Sequence, residues 1–271
     1  MIIITGASGF IGSALTWQLN QLGYDDLILT DIPDTSDKWK NIRGRCFARF
    51  LAKDDLFSYL AEVGKANITA IIHLGACSST SEKDFAFLLK NNVEYSIKLF
   101  TFCSESNIPF IYASSAATYG DGALGFSDDD QHATRLLPLN PYGFSKKMFD
   151  DFVLKQKKAP PLWVGLKFFN VYGPNEYHKN DMMSLIPRAF QQVKESGAVS
   201  LFKSYCDTIK DGDQKRDFIY VKDVCSVICH FLKFSSDSSL SGIYNVGTGV
   251  AQSFYQLADA TCQAMQKETK I

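Results

Sequence analysis

The chain has 271 residues, of which 46% are apolar, so it can bury the core of one large domain and is not a disordered tail protein. Its 28 lysines and arginines nearly balance its 29 aspartates and glutamates, and the formal charge of -1 favours neither a nucleic-acid partner nor an anionic membrane. We therefore expect a small-molecule partner.

The amino-terminal segment and the cysteines indicate the environment of the chain. No apolar run reaches the roughly 18 residues of a membrane-spanning helix, and no cationic segment precedes the apolar start, so a cytoplasmic chain without a signal peptide is predicted. The 7 cysteines include no Cys-x-x-Cys pair, which favours reduced thiols. Cys225, Cys229 and His230 could bind a metal, but their helical spacing among apolar neighbours favours packed thiols, and no metal site is predicted.

Strand and helix patterns alternate along the first part of the chain. An apolar run at 1–4, a glycine-rich turn, a helix that ends at Gly23 and a second apolar run at 27–29 form one β-α-β unit. The same periodicities predict strands near 68–74, 108–113 and 163–169, with helices over about 85–104 and from 142 onwards. This alternation predicts an α/β fold, a Rossmann-type doubly wound parallel sheet with helices on both faces.

The alternation loosens beyond residue 175. The expected elements there are a Met-rich helix at 182–195, a polar stretch at 205–215, a short strand at 218–221 and a last helix from Ser253. We therefore predict a dinucleotide-binding domain over 1–170. Residues 171–271 are expected to form mostly a smaller substrate-binding lobe, interleaved with the last strands of the sheet.

Three glycines, Gly6, Gly9 and Gly12, stand where the first strand gives way to the first helix. A pyrophosphate needs close approach to the backbone and the positive end of a helix dipole, and a glycine loop in this context supplies both. The three glycines, together with Phe10 and Ile11, are therefore predicted to bind a dinucleotide; a merely tight turn is the alternative.

The second strand ends at Asp31, where a carboxylate can accept hydrogen bonds from a ribose 2′-hydroxyl. Asp31 and the adjacent Ile32 are predicted cofactor contacts, and the aspartate alone favours NAD. Lys38 and Lys53 could neutralise a 2′-phosphate and so favour NADP, although a solvated surface position is the common role of either lysine in isolation. We predict NADP, with NAD as the alternative.

Five small residues follow the strand at 68–74. At the carboxyl end of a parallel strand, small side chains let a cofactor lie against the backbone. The predicted cofactor contacts here are Gly75, Ala76, Cys77, Ser78 and Ser79.

Tyr142 and Lys146 are four residues apart, so both project from one face of a helix. A nearby ammonium and a cationic nicotinamide favour the phenolate, which makes Tyr142 a candidate proton acceptor, while Lys146 could also hold the nicotinamide ribose. A Tyr-x-x-x-Lys pair alone is common and usually has no function. Its significance here comes from the glycine loop upstream and from Ser114 and Ser115 at the end of the preceding strand.

Four ordered motifs resemble the extended short-chain dehydrogenase/reductase family, and they cover nearly the whole chain. They are the glycine loop, Ser114-Ser115-Ala116-Ala117-Thr118-Tyr119-Gly120, Tyr142-x-x-x-Lys146 and Phe169-Asn170-Val171-Tyr172-Gly173-Pro174. The resemblance implies that Ser115, Tyr142 and Lys146 form a catalytic triad and that Val171 contacts the cofactor.

Within this family, the sequence is most similar to the ADP-heptose 6-epimerases. The marks are His73-Leu74-Gly75-Ala76-Cys77-Ser78-Ser79-Thr80, Asn91-Asn92, Lys38, Lys53 and Gly173-Pro174-Asn175-Glu176-Tyr177-His178-Lys179. The resemblance implies inversion of carbon 6 of ADP-D-glycero-D-manno-heptose, a step in the synthesis of lipopolysaccharide inner-core precursors. It also implies that Asn92 binds cofactor and that Lys179, near the cofactor, is a second base beside Tyr142. A loop lysine that binds substrate phosphate is the alternative for Lys179.

The resemblance further implies a substrate-binding set and a homo-oligomer, a pentamer. The set comprises Asn170, Asp181, Arg188, Phe202, Lys203, Ser204, Tyr205 and Arg216. The planar fork of Arg216 suits a diphosphate. Asp181 departs from a familiar serine and Arg188 from a familiar histidine, and a carboxylate beside a diphosphate is unfavourable unless it meets a hydroxyl or a cation.

Two alternatives remain open at this point. One is another nucleotide-sugar epimerase or reductase, for example one that acts at carbon 4, and another is a regulator that binds NAD(P) without catalysis. A dehydratase is disfavoured because Ala116-Ala117-Thr118 stands where those enzymes have an acidic pair. The resembled family is longer, and this chain stops in a polar stretch at 267–271, so we expect part of the substrate pocket to be missing.

Overall fold

The computed structural model describes residues 1–65 and 67–270, apart from the side chains of Asn180 and Asp181. The chain forms two compact units. The first combines Met1–Phe168 with Lys222–Val246, and the second combines Phe169–Val221 with Gly247–Ile271. Residues 222–246 thus return to the first unit, and the second unit is discontinuous in sequence.

The strands and helices follow one another in an alternating order. The strands are β1 Ile2–Thr5, β2 Leu27–Asp31, β3 Arg49–Ala52, β4 Ala70–His73, β5 Phe110–Ser115, β6 Trp163–Phe168, β7 Asn170–Tyr172, β8 Lys215–Tyr220, β9 Gly242–Val246 and β10 Ala251–Ser253. The α-helices are α1 Phe10–Gln21, α2 Leu56–Val63, α3 Phe85–Leu88, α4 Tyr95–Ser106, α5 Asp130–Ala133, α6 Pro141–Leu154, α7 Leu185–Ser196, α8 Val221–Lys233 and α9 Phe254–Ala264.

The first unit is built on a seven-stranded sheet in the order β3-β2-β1-β4-β5-β6-β9. All its strand pairs are parallel. Every residue of β1 and β4 is buried, as expected for strands that helices cover on both faces. The predicted doubly wound parallel sheet is therefore confirmed. The strand order reverses between β1 and β4, which is the position where open α/β sheets bind ligands.

The helix predicted over 85–104 has a different internal structure. It consists of α3, a π-helical segment at Leu89–Glu94 and α4. Segments of this kind commonly occur at functional sites. Here the π-helical segment buries Asn91 and Asn92, whose contacts are described below.

The second unit contains a small mixed sheet and a helix pair. β7 runs parallel to β8, and β10 runs antiparallel to β8. α7 packs against α9 through a separate apolar core that includes Leu185, Ala189 and Cys262. This arrangement gives the second unit a core of its own.

Two further findings concern the helices in the described ranges. None is long and apolar enough to cross a membrane. In α8, burial raises the pKa of Cys225 to about 12 and that of Cys229 to about 11, which corresponds to packed, protonated thiols.

Candidate active site

The glycine loop after β1 makes an unusually close backbone contact with the end of β4. Gly6 has φ +66°, and a Cβ atom there would lie 2.7 Å from the Gly75 backbone. At Gly12, a Cβ atom would lie 2.2 Å from the carbonyl oxygen of Gly6. These positions therefore require glycine, and they leave a backbone-lined surface at the point where the strand order reverses.

Asp31 holds the glycine loop at the end of β2. One carboxylate oxygen accepts a hydrogen bond from the Ser8 N–H at 2.9 Å, and the other accepts one from the Ile32 N–H at 2.7 Å. The Nζ atom of Lys38 lies 3.1 Å from Asp31 and 2.7 Å from Asp34. Burial favours the neutral amine of Lys38, but the contacts with Asp34 and Asp31 outweigh it and raise its pKa. A fixed ammonium thus accompanies the carboxylate that was predicted to meet the adenosine ribose.

Lys53 lies under the π-helical segment of the first unit. Its Nζ atom donates a hydrogen bond to Asn91 and lies 4.6 Å from the centre of the Tyr95 ring. Burial lowers the pKa of this lysine. The structure thus places Lys53 in a defined, partly buried position, whereas a lone surface lysine would be solvated.

A directed chain of hydrogen bonds joins the ends of β1 and β4. The Gly75 N–H donates to Thr5 Oγ1 at 3.0 Å, and Thr5 Oγ1 lies 2.6 Å from His73 Nδ1. His73 Nε2 lies 2.8 Å from Ser96 Oγ, which donates to the Asn92 carbonyl at 2.6 Å. Because the Ser96 hydroxyl proton is used in that last bond, His73 donates from Nε2 and accepts at Nδ1. Burial lowers the pKa of His73 to about 3, so the ring is neutral.

The side chain of Asn92 positions the segment after β4. It accepts from the Cys77 N–H at 2.9 Å and donates to the Cys77 carbonyl at 3.0 Å. It also donates to Ser145 Oγ of α6 at 3.1 Å. Asn92 was predicted as a cofactor contact. Its side-chain amide instead hydrogen-bonds the backbone of Cys77, a second predicted contact. The remaining residues of that group are Ala76, Ser78 and Ser79, of which Ser79 shares a 2.9 Å hydrogen bond with Ser81.

The candidate acid/base group lies on α6 and at the end of β5. Asn140 caps the helix by accepting from the Gly143 N–H at 2.8 Å, and Pro141 occupies its first position. Tyr142 and Ser115 share a side-chain hydrogen bond. Lys146 donates from Nζ to the Ala113 carbonyl at 2.7 Å. The structure thus brings the predicted serine, tyrosine and lysine together.

Burial dominates the electrostatics of this group. It lowers the pKa of Lys146 to about 8, against the opposing charges of Asp150 and Cys77. Burial also raises the pKa of Tyr142, and the Ser115 hydrogen bond offsets this only in part. The lowering of the tyrosine pKa predicted from a nearby ammonium is therefore outweighed in this structure by desolvation. A positively charged ligand beside the phenol would lower the pKa of Tyr142.

In the second unit, Lys179 lies in a 3-10 segment at Tyr177–Met182, between β7 and α7. The buried Glu176 organises the loop around it: it accepts from the Gly173 N–H at 3.0 Å and from the Ser184 N–H at 2.7 Å. Its carboxylate lies 4.0 Å from Lys179 Nζ. Burial lowers the pKa of Lys179, and the charge of Glu176 opposes this lowering. A less basic lysine is better suited to proton transfer near neutral pH.

The predicted substrate-binding residues of the second unit are mostly exposed. Tyr205 is 95% exposed, and Phe202 packs edge to face on Phe254 at 5.1 Å. Ser204 accepts from the Cys206 N–H at 3.2 Å and donates its own N–H to Asp211 at 2.6 Å, and Arg216 donates to the Lys215 carbonyl at 2.7 Å. The other members are Asn170 of β7, Arg188 of α7 and the exposed Lys203; Val171, a predicted cofactor contact, follows Asn170 in β7. The side chain of Asp181 lies outside the described part of the structure.

The first unit fits a dinucleotide. The close approach of Gly6 and Gly75 opens the backbone to a ligand, and among the described residues no side chain caps α1 at Gly9 and no acidic residue lies in its first turn. An uncapped helix amino terminus attracts a pyrophosphate. Asp31 and Lys38 stand at the adenosine end that this orientation defines.

Comparison with known proteins agrees with this geometry. Residues 2–247 match the model of the NAD dependent epimerase/dehydratase family. The chain belongs to this family of enzymes, and its fold is similar to that of structures solved in complex with NAD. For example, it is 26% identical to the UDP-glucose 4-epimerase of Thermus thermophilus in complex with NAD, with a TM-score of 0.76 over 99% of this chain and 84% of that one.

Two further relatives identify the branch of the family. The chain is 51% identical to the ADP-L-glycero-D-manno-heptose-6-epimerase of Fusobacterium nucleatum over 97% of this chain and 80% of that protein. The structure of the Helicobacter pylori ADP-L-glycero-D-manno-heptose-6-epimerase superposes with a TM-score of 0.83 at 27% identity, over 99% of this chain and 84% of that one. The resemblance to the heptose 6-epimerases drawn from the sequence is confirmed by these relatives.

Three buried residues near the predicted groups escaped the sequence analysis: Asp150, Lys167 and Glu176. Two of them left a signal. Lys167 is a charged residue within an otherwise apolar strand, and Asp150 stands four residues beyond Lys146, on the same face of α6. Glu176 lies in the same motif as Lys179, where a function was predicted for the lysine alone.

Proposed function

We propose that this protein is an epimerase that inverts carbon 6 of ADP-D-glycero-D-manno-heptose, with ADP-L-glycero-D-manno-heptose as the product. The observation that carries the proposal is the 51% identity to a heptose 6-epimerase across 97% of the chain. The contact of Tyr142 with Ser115 and the near-neutral pKa of Lys146 support it.

The chemistry explains why two proton-transfer groups are needed. Carbon 6 is not adjacent to a carbonyl, so its proton is not acidic and inversion proceeds through a 6-keto intermediate. A bound nicotinamide would supply the redox chemistry, as acceptor of the carbon 6 hydride and as its donor to the opposite face of the ketone. We assign the removal of the hydroxyl proton, and its return, to Tyr142 in one orientation and to Lys179 in the other.

The remaining residues bind and orient. Ser115 hydrogen-bonds the substrate hydroxyl together with Tyr142, and the Lys146 ammonium favours the phenolate while it holds the nicotinamide ribose. Arg216 binds the diphosphate with its planar fork. Asn170, Arg188 and the segment 202–205 contact the sugar nucleotide. No role is assigned to Asp181.

We also propose NADP as the preferred cofactor, with NAD as the alternative. Lys38 supports this preference, because its ammonium lies next to Asp31 and can pair with a 2′-phosphate while it neutralises the carboxylate. Mass spectrometry of the nucleotide released from the purified protein tests the choice. Lys38→Met should weaken NADP binding about tenfold or more and NAD binding much less; equal losses would contradict the proposal.

The decisive experiment follows the carbon 6 epimer produced from ADP-D-glycero-D-manno-heptose. We expect turnover by the wild type without net consumption of NAD(P)H. Tyr142→Phe and Lys179→Met should each lose turnover by at least about a hundredfold and still retain bound cofactor. Unchanged activity in Lys179→Met would remove the two-base assignment, and net consumption of NAD(P)H would rule out an epimerase.

The same experiment separates the alternatives. A carbon 4 epimerase would act on UDP-hexoses, the substrate class of the Thermus thermophilus relative at 26% identity, and leave ADP-heptose unchanged. A regulator without catalysis would retain cofactor and convert neither substrate. A homo-oligomer, a pentamer in the resembled family, and a cytoplasmic location complete the proposal, and light scattering on the purified protein tests the assembly.

A further inference from the structure

A buried carboxylate lies directly behind the candidate acid/base group. Asp150 follows Lys146 by one helical turn and Tyr142 by two, so the three side chains share one face of α6. The Asp150 side chain is 1% exposed, and it accepts three hydrogen bonds. The donors are the Tyr112 hydroxyl at 3.0 Å, Ser114 Oγ at 2.7 Å and Lys167 Nζ at 2.8 Å.

The partner of this carboxylate is a lysine inside an apolar strand. Lys167 of β6 is also 1% exposed, and its Nζ atom donates to Thr118 Oγ1 at 2.7 Å. The same ammonium lies 5.2 Å from the centre of the Tyr119 ring. Buried ion pairs rarely add stability over apolar residues of similar volume. A requirement for charge at this position explains the pair better than stability does.

The pair is connected to the acid/base group through four consecutive residues of β5. Tyr112 and Ser114 donate to Asp150. Between them, the Ala113 carbonyl accepts from Lys146, and Ser115 hydrogen-bonds Tyr142. The carboxylate therefore fixes the register of β5 against α6, and this register determines where Lys146 and Tyr142 find their partners.

We propose that the Asp150–Lys167 ion pair is a positioning unit for Tyr142 and Lys146: it aligns the end of β5 with α6, and its two balanced charges set the electrostatic field at both side chains. The inference rests on the proposed role of Tyr142 and Lys146 in epimerisation. Neither Asp150 nor Lys167 needs to touch substrate.

The charge of Asp150 acts on both side chains in the same direction. It raises the pKa of Lys146 against the lowering by burial, and it adds to the rise that burial causes in the pKa of Tyr142. Other titratable groups that face this region from packed elements are His73, Cys77, Tyr112, Tyr119, Asp130 and Lys167. Substitutions at Asp150 or Lys167 do not remove any of the other five groups.

Neutralising either partner alone should therefore move the proton equilibria in opposite directions. Asp150→Asn keeps the hydrogen-bond acceptor and leaves the Lys167 charge unbalanced, which favours the phenolate. Lys167→Met leaves the carboxylate unbalanced, which disfavours it. Eight residues of helix span about 12 Å, and a unit charge at that distance shifts a pKa by about half a unit to one unit at the effective dielectric constant of protein interiors.

The test uses the purified protein with its bound cofactor. The acid limb of the kcat/KM profile for ADP-D-glycero-D-manno-heptose should move to lower pH in Asp150→Asn and to higher pH in Lys167→Met, by about half a unit to one unit. Lys167→Arg and the double variant Asp150→Asn/Lys167→Met should retain the wild-type limb, because the net charge of the site is unchanged. If Lys167→Met does not fold, the comparison of Asp150→Asn with the double variant gives the same information.

A second measurement does not depend on turnover. The phenolate absorbance at 295 nm, taken as the difference between each variant and its Tyr142→Phe counterpart, should titrate with the same opposite shifts. Limbs and titrations that stay in place, or that shift in the same direction for both single variants, would overturn the inference. If the wild type leaves ADP-heptose unchanged while the two single variants show opposite absorbance shifts, the proposed function is contradicted and the ion-pair inference is supported.

Discussion

The two units hold their candidate functional residues in opposite ways. In the first unit, Lys146 and Asp31 make short hydrogen bonds to backbone groups, and the buried Tyr142 interacts with Ser115. In the second unit, Tyr205 and Arg216 extend into solvent, and Glu176 is the buried carboxylate that holds a loop in place. Groups that transfer protons need fixed geometry, whereas groups that select a sugar nucleotide can acquire theirs on binding.

This contrast predicts how substitutions divide between the units. In the first unit, a change at the close backbone contact of the glycine loop should affect stability, cofactor binding and turnover together. In the second unit, a change at an exposed residue should affect substrate binding alone. A change at the buried Glu176 should also affect stability. Four experiments test this division, in order of decreasing effect.

The largest effect is expected for Gly6→Ala. The new Cβ would meet the Gly75 backbone at 2.7 Å in addition to the strain of a positive φ. We expect a loss of at least about 3 kcal/mol in the free energy of unfolding, measured in urea, and loss of bound cofactor. Gly44→Ala is the matched control: Gly44 has φ +78° with nothing near its Cβ position, so the loss should be about 1 kcal/mol. Equal losses would refute the role of the close approach.

The second effect concerns the loop that carries Lys179. Glu176→Gln puts an amide where the carboxylate accepts from Ser184 and Gly173, so it should cost about 2 kcal/mol in urea unfolding and reduce epimerisation. Cofactor content should not change. Glu195→Gln, at an exposed position on α7 of the same unit, should cost less than about 0.5 kcal/mol. If Glu176→Gln were as stable as Glu195→Gln, the Glu176 carboxylate would not be what holds the Lys179 loop in place.

The third effect is a pH dependence in the first unit. Because burial lowers the pKa of Lys146 to about 8, its ammonium is present below that pH and lost above it. We expect kcat/KM to fall about tenfold per pH unit above about pH 8. Lys146→Arg, which stays charged, should show no such fall relative to its own maximum. A wild-type profile that stays flat to pH 10 would contradict the assignment.

The smallest effect is expected at the exposed strand β8. Arg216→Lys keeps the charge and loses the planar fork, so KM for the nucleotide-sugar should rise about fivefold while the free energy of unfolding changes by less than about 0.5 kcal/mol. Lys215→Arg, on the opposite face of the same strand, should change neither quantity. A rise in KM of the same size in both variants would indicate a general charge effect.

The sequence predicts the parts of the fold that depend on periodicity. The apolar, mostly buried strands β1, β4, β5 and β6 and the helix with Tyr142 follow from the local pattern alone. The short strands β3, β7 and β10 do not, because three or four partly exposed residues carry no distinct period. The π-helical segment inside the predicted helix at 85–104 depends on contacts of Asn91 and Asn92 with residues 15 to 53 positions away, which no local window contains.

The candidate site follows the same division. Motif spacing predicts which residues meet, as with Ser115, Tyr142 and Lys146. It does not predict their electrostatics, because desolvation depends on how the surrounding elements pack. For this reason the rise in the pKa of Tyr142 and the ion pair behind it appear only in three dimensions.

The hydrogen-bond chain through His73 closes into a ring. From Gly75 it passes through Thr5, His73 and Ser96 to the backbone of Asn92. The Asn92 side chain then accepts a hydrogen bond from Cys77, which follows Gly75 by two residues. Each bond of such a ring restrains the geometry of its neighbours, so the loss of one bond weakens the others. Thr5→Val and Asn92→Ala should therefore be strongly non-additive in a double-mutant cycle, even though the two residues are 87 positions apart in sequence. We therefore expect the backbone surface of the candidate dinucleotide site to behave as one cooperative unit.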